Sequence, residues 1–105
     1  MENLLHWLSK WYSQHCDGSW EHIYGIHIKN LDNPGWELSV DLGETELDGI
    51  TIPYQLLELD NDEWYGYKTE NNKFVAFGSL FQLDAILLTF KKLVDGELKN
   101  ICPPS

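Results

Sequence analysis

HIYGIHIKNLDNPGWELSVDL, residues 22–42, carries two period-two runs on either side of a turn signal, and its reading decides the fold class. From His22 to Asn30, Tyr24, Ile26 and Ile28 fall on one face while Ile23, Gly25, His27 and Lys29 fall on the other, as alternating strand side chains require. Asn33-Pro34-Gly35 joins a fixed φ to a residue that accepts positive φ, the demand of a type II turn. Trp36, Leu38, Val40 and Leu42 then alternate with Glu37, Ser39 and Asp41, so a second strand offers one face to a core and an acidic face outward. The stretch predicts an antiparallel hairpin.

Upstream, Leu4, Trp7, Leu8, Trp11 and Tyr12 recur at three- and four-residue steps, which predicts an amphipathic helix capped by Asn3 and ended at Asp17-Gly18. Downstream, Gly43 to Gly49 reads as an acidic loop and Ile50 to Asp60 as a third strand, with Pro53 marking an edge position or an irregular start. Asn61-Asp62 and Asn71-Asn72 are turn signals around short strands at Trp64 to Thr69 and Phe74 to Phe77. Ser79 and Gln82 have capping-box spacing ahead of Leu83, Ile86, Leu87, Phe90, Leu93 and Val94, which share one helical face. Gly96 stops that helix, and Cys102-Pro103-Pro104 cannot extend it, so residues 97–105 are expected to be a loose tail. The predicted class is α+β: an N-terminal helix, a four- to five-stranded antiparallel meander and a C-terminal helix, with both helices on one sheet face. The other face is left for binding.

The length, 105 residues, suits one domain that removes roughly two-thirds of its unfolded surface from water. Seven lysines and no arginine stand against seventeen acids, a net charge of −10. Eleven of those acids and one lysine lie within residues 31–70, so the middle of the chain carries the acidity. Nucleic acid and anionic membranes are poor partners for such a surface, and a basic protein is a good one. An acid follows Met1 where a secretion signal needs positive charge, and no apolar run is long enough to span a bilayer, so a cytoplasmic location is expected. Cys16 and Cys102 form no ligand-spaced pair and read as reduced thiols.

Three constellations invite a chemical reading. His15, Cys16, Asp17 and His22 are zinc-ligand types around a helix end, without HExxH or paired CxxC spacing. Asp17, Ser19 and His22 hold the residue types of a hydrolytic triad without a nucleophile elbow. Asp60-Asn61-Asp62 opens like a calcium loop, but Trp64 and Tyr65 occupy ligand and glycine positions. No metal, cofactor or catalytic residue is therefore expected. Trp64 is different: it follows Asp60, Asp62 and Glu63, the composition of a hot spot for a cationic partner.

Trp7-Leu8, Trp11-Tyr12, Cys16-Asp17-Gly18, Trp20-Glu21-His22, Tyr24-Gly25-Ile26, Ile28 and Leu31 through Trp36 form a spaced pattern that resembles immunity protein family 53 of bacterial polymorphic-toxin systems. It continues more weakly through Asp41-Leu42, Thr45, Leu47 and Gly49, with His15 and Ser19 standing where a glutamine and an acid are typical. The resemblance implies a cytosolic protein, encoded beside a toxin, that binds the toxin's effector domain. Joined to the charge map, it predicts stoichiometric occlusion of a basic cleft, such as a nuclease presents, by Glu37, Asp41, Glu44, Glu46, Asp48, Asp60, Asp62, Glu63 and Trp64. One competing expectation is a small acid/base or metal-assisted enzyme using His22 with Asp17 or Glu21. Another is a general acidic adaptor or nucleic-acid mimic.

Overall fold

Asn3 accepts a hydrogen bond from the His6 amide through Oδ1 at 3.0 Å and so starts α1 (Leu4–His15), as its sequence position predicts. The structure, a computed structural model, describes residues 3–32 and 34–97. After α1 come α2 (Trp20–Ile23), β1 (Ile26–Leu31), β2 (Gly35–Asp41), β3 (Gln55–Glu58), β4 (Trp64–Glu70), β5 (Lys73–Ser79) and α3 (Leu83–Val94). The class is α+β, as predicted.

Among the described residues the strands form one five-stranded antiparallel sheet in the order β1-β2-β5-β4-β3. The expected sequential meander is therefore corrected. Residues 42–54 leave the end of β2 and cross to the far edge, and β4 and β5 then return as hairpins that fill the gap. The crossing is pinned by its apolar residues: Leu42, Leu47 and Ile52 are buried. The hairpin turns are the ones the sequence signals, with Asn61 and Asp62 at φ +62° and Asn71 and Asn72 at +54° and +61°.

One sheet face is the core. Leu38 and Val40 from β2, Phe74 and Ala76 from β5, and Ile86 and Phe90 from α3 are all fully excluded from solvent. The α3 helix packs on this face and α1 packs on α3. Trp11 meets Phe90 edge-on at 5.0 Å and Trp20 at 6.3 Å, so two tryptophans close the core beside α3. At its other end α3 finishes in a Schellman motif: Gly96 is at φ +80°, its amide bonds Leu93 O, and the Glu97 amide bonds Lys92 O. Of the predicted tail, Glu97 is thus tied to the helix, and residues 98–105 lie outside the described residues.

Four local expectations are revised. The first strand starts at Ile26 and not at His22, because residues 20–23 form a helical turn. Asp17 Oδ1 accepts the Ser19 and Trp20 amides, both at 2.9 Å, and the buried Trp20 indole donates to Gly43 O at 2.8 Å. Of the predicted type II turn, Asn33 lies outside the described residues. Gly35 belongs to β2 with an ordinary extended backbone, and its missing side chain serves a close approach, since a Cβ there would lie 2.5 Å from Gly78 O. The capping box does not form: Ser79 Oγ is engaged by the Trp64 amide at 2.9 Å, and the Gln82 side chain donates to Glu63. Finally, the third strand keeps only Gln55 to Glu58 of its predicted span, at the sheet edge that Pro53 foretold.

Candidate functional site

Strand alternation puts Glu37 and Asp41 on the sheet face opposite α3, which no helix among the described residues covers, directly across from lysines on neighbouring strands. Lys29 Nζ lies 3.7 Å from Glu37, Lys73 Nζ 3.7 Å from Asp41, and Lys68 pairs with Glu70 at 2.6 Å. Asp41 also accepts the Gly25 amide at 2.8 Å. The middle of this open face is therefore largely charge-compensated, and the unbalanced acids lie at its two ends.

At one end, the crossing loop uses its acids to hold itself in place. Glu46 Oε2 accepts the Trp11 indole N–H at 3.0 Å, and Oε1 lies 2.9 Å from His15 Nε2. Burial works to raise the Glu46 carboxyl, but the bonds from Trp11 and His15 outweigh it and hold it below its ordinary range. Asp48 accepts the Glu44 amide at 2.7 Å and the Asn72 side chain at 3.0 Å, which lowers it too. Only the Glu44 carboxylate here has no partner among the described residues.

The opposite end has another character. Asp60 and Asp62 are exposed on the β3–β4 turn, and Glu63 is lowered by bonds from Gln82 and from the Ser79 and Phe81 region, where it braces the start of α3. Trp64 is half-buried between two hollows. One, of about 600 Å³, is lined by Tyr54, Leu56, Glu58, Leu59 and Trp64; the other, of about 260 Å³, by Leu31, Pro34, Trp64 and Leu80; Asp62 and Glu63 line both. Around them stand exposed apolar side chains, with Leu56 at 52% and Phe81 at 77% exposure. Gly66 leaves room for this arrangement: a Cβ there would lie 2.6 Å from the Tyr54 hydroxyl, so the Tyr54 ring rests over the glycine.

The structure thus splits the nine predicted residues into three groups. Asp60, Asp62, Glu63 and Trp64 come together; Glu44, Glu46 and Asp48 sit at the far end of the sheet, roughly 20 Å away along a seven-residue strand; Glu37 and Asp41 face lysines between them. Sequence reasoning missed Tyr54, Leu56, Leu59, Leu80 and Phe81, whose apolar character reads as core until the strand order shows that residues 54–59 form an edge.

Of the competing chemical constellations, His22 and Glu21 share one cleft, while the other members are engaged in local hydrogen bonds. Cys16 Sγ donates to Tyr12 O at 3.3 Å, Asp17 and Glu21 accept backbone amides, and His15 turns towards Trp11 O and Glu46. His22 lines a separate open cleft of about 500 Å³ with Glu21, His27 and Tyr12. Among the described residues, no group of three or more histidines, cysteines and acids is placed to hold a metal ion.

A sequence model of the family described as immunity protein 53 matches residues 5–95, from α1 to the end of α3. The chain belongs to the immunity protein 53 family. Membership makes it an immunity protein directed against a toxin. No curated protein and no solved structure matches the chain. The match spans the crossing loop and both ends of the open face, so the Trp64 surface of this immunity protein 53 member lies inside the family's own extent. No helix among its described residues is long and apolar enough to cross a membrane.

Proposed function

We propose that this immunity protein neutralises its cognate toxin in the cytosol by stoichiometric occlusion, with the Trp64 end of the open sheet face seated on a basic cleft of the effector domain, as a nuclease would present. The observation that carries this reading is the position of Trp64, half-buried between two hollows, with exposed apolar side chains around it, Glu58 and Asp62 in their lining and Asp60 exposed on the adjoining turn. An aromatic anchor supplies the desolvated contact that resists dissociation, while rim charges accelerate encounter and set orientation. A standard interface covers roughly 800 Å² of each partner, which extends from this end to the uncovered strands beside it. Glu37, Asp41, Glu44, Glu46 and Asp48 contribute to the long-range field, and all of them but Glu44 also engage their carboxylates in local bonds within the fold.

Titration of the 105-residue chain against a toxin effector domain isolated by co-purification with it tests the reading. Trp64→Ala is expected to weaken binding by about thirtyfold or more, the loss of a hot-spot anchor. Asp60→Lys with Asp62→Lys is expected to slow association and to flatten its dependence on salt. Affinity and salt dependence unchanged in both variants would refute the assignment of the surface.

A further inference from the structure

The β3 edge adds something that the charge map does not contain. Sheets end here in two edge strands, β1 and β3, and they are not equally protected. β1 carries His27 and Lys29, and a charged edge discourages pairing with another strand. Residues 54–59, Tyr54-Gln55-Leu56-Leu57-Glu58-Leu59, hold three leucines, a tyrosine and a single charge. Tyr54, Leu56 and Leu59 are 49%, 52% and 42% exposed. Among the described residues no strand lies against the outer side of β3.

The backbone at this edge is ordered for pairing. The Leu59 amide donates to Glu63 O at 2.7 Å, towards β4. Antiparallel alternation then turns the Leu57 amide to β4 as well, and turns the amides of Leu56 and Glu58 outward, away from the sheet. Outward amides beside a hollow floored by Leu56 and Trp64 are the requirement for adding a strand: main-chain hydrogen bonds give affinity, and alternate side-chain positions give selectivity.

We infer that the toxin's effector domain contributes an extended segment that pairs with β3 as a sixth strand, with an apolar residue beside Leu56 and a lysine or arginine beside Glu58. This rests on the reading that the Trp64 end meets the toxin, and it specifies how. Charge complementarity selects the occupant, because residues 54–63 contain four acids and no lysine, so a second copy of this chain would bring like charge to like.

Amide hydrogen exchange on the same chain, alone and with the co-purified effector domain, reads the pairing directly. The Leu56 and Glu58 amides are expected to slow by at least about tenfold in the complex. Leu56→Pro removes an amide that serves no bond to β4, so the sheet is expected to survive, as edge prolines do, while binding weakens by about tenfold beyond the loss seen in Leu56→Ala. Amides that exchange as fast in a complex that Trp64→Ala still weakens would overturn strand addition and leave the surface intact. Protection that rises with protein concentration in the absence of the effector domain would overturn it also, by giving the edge to a second copy. Binding indifferent to Trp64→Ala would instead remove the surface itself.

Discussion

The two ring nitrogens of His15 reach Trp11 O, 2.9 Å from Nδ1, and Glu46 Oε1, 2.9 Å from Nε2, so the ring bridges α1 and the crossing loop. With the Trp11 indole on its second oxygen, Glu46 joins the acidic loop to α1 across a sequence separation of 35 residues. Glu46→Ala leaves a buried indole N–H unsatisfied and is expected to cost about 1–3 kcal/mol, whereas Glu46→Gln, which retains an acceptor, costs less; denaturant unfolding measures both. The same group sets a pH dependence. Glu46, Asp48 and Glu63 are lowered on folding from the ordinary values of 4.5, 3.8 and 4.5. Their folded forms therefore bind protons less readily than their unfolded forms. The stability they contribute is complete above the unfolded values and is lost as pH falls through the folded ones. Thermal melts are expected to be flat in carboxylate contribution above about pH 5 and to decline below about pH 4, less steeply in Glu46→Gln.

The seam between β2 and β5 depends on two glycines in close register, with Gly35 beside Ser79 and Trp36 beside Gly78. Because a Cβ on Gly35 would meet backbone at 2.5 Å, Gly35→Ala is expected to cost about 1–3 kcal/mol by overpacking, read as a lowered melting temperature with a preserved circular dichroism spectrum. This close approach is one of the things the sequence does not disclose, since Asn33-Pro34-Gly35 reads locally as a turn. Elements governed by near neighbours were legible: the apolar faces of α1 and α3, the inward side of β2, and the paired asparagine turns. The α2 turn was not, because what holds Trp20 is the carbonyl of Gly43, twenty-three residues away. Strand order was not either, because adjacent strands can meet only after the crossing loop has been placed. At the candidate site, Trp64 and its acids were readable from composition. Leu56 and Leu59 were not, because an apolar residue on an edge has the same local pattern as one in the core.

Across the whole molecule, net charge and contact surface play separate parts. The charge of −10 attracts a basic partner from a distance, while lysines facing Glu37 and Asp41 keep the centre of the open face close to neutral. Association with the effector domain is therefore expected to slow markedly as salt rises from about 0.01 to 0.15 M, where the Debye length shrinks from about 30 to 8 Å. Dissociation, if the proposed apolar contact at Trp64 governs it, is expected to change far less; stopped-flow and surface-binding kinetics separate the two. The crossing between β2 and β3 has a consequence in time as well as in space. β3, β4 and β5 are joined by short hairpins and can assemble on the microsecond scale of local turns. The seam they must share with β2 joins residue 41 to residue 73 at its nearest pair, so its closure carries the larger loop entropy. Folding kinetics should accordingly show a late step: variants in the Asn71-Asn72 turn alter an early, fast-forming nucleus, and variants along the β2–β5 seam act chiefly on how soon two preformed halves become one sheet.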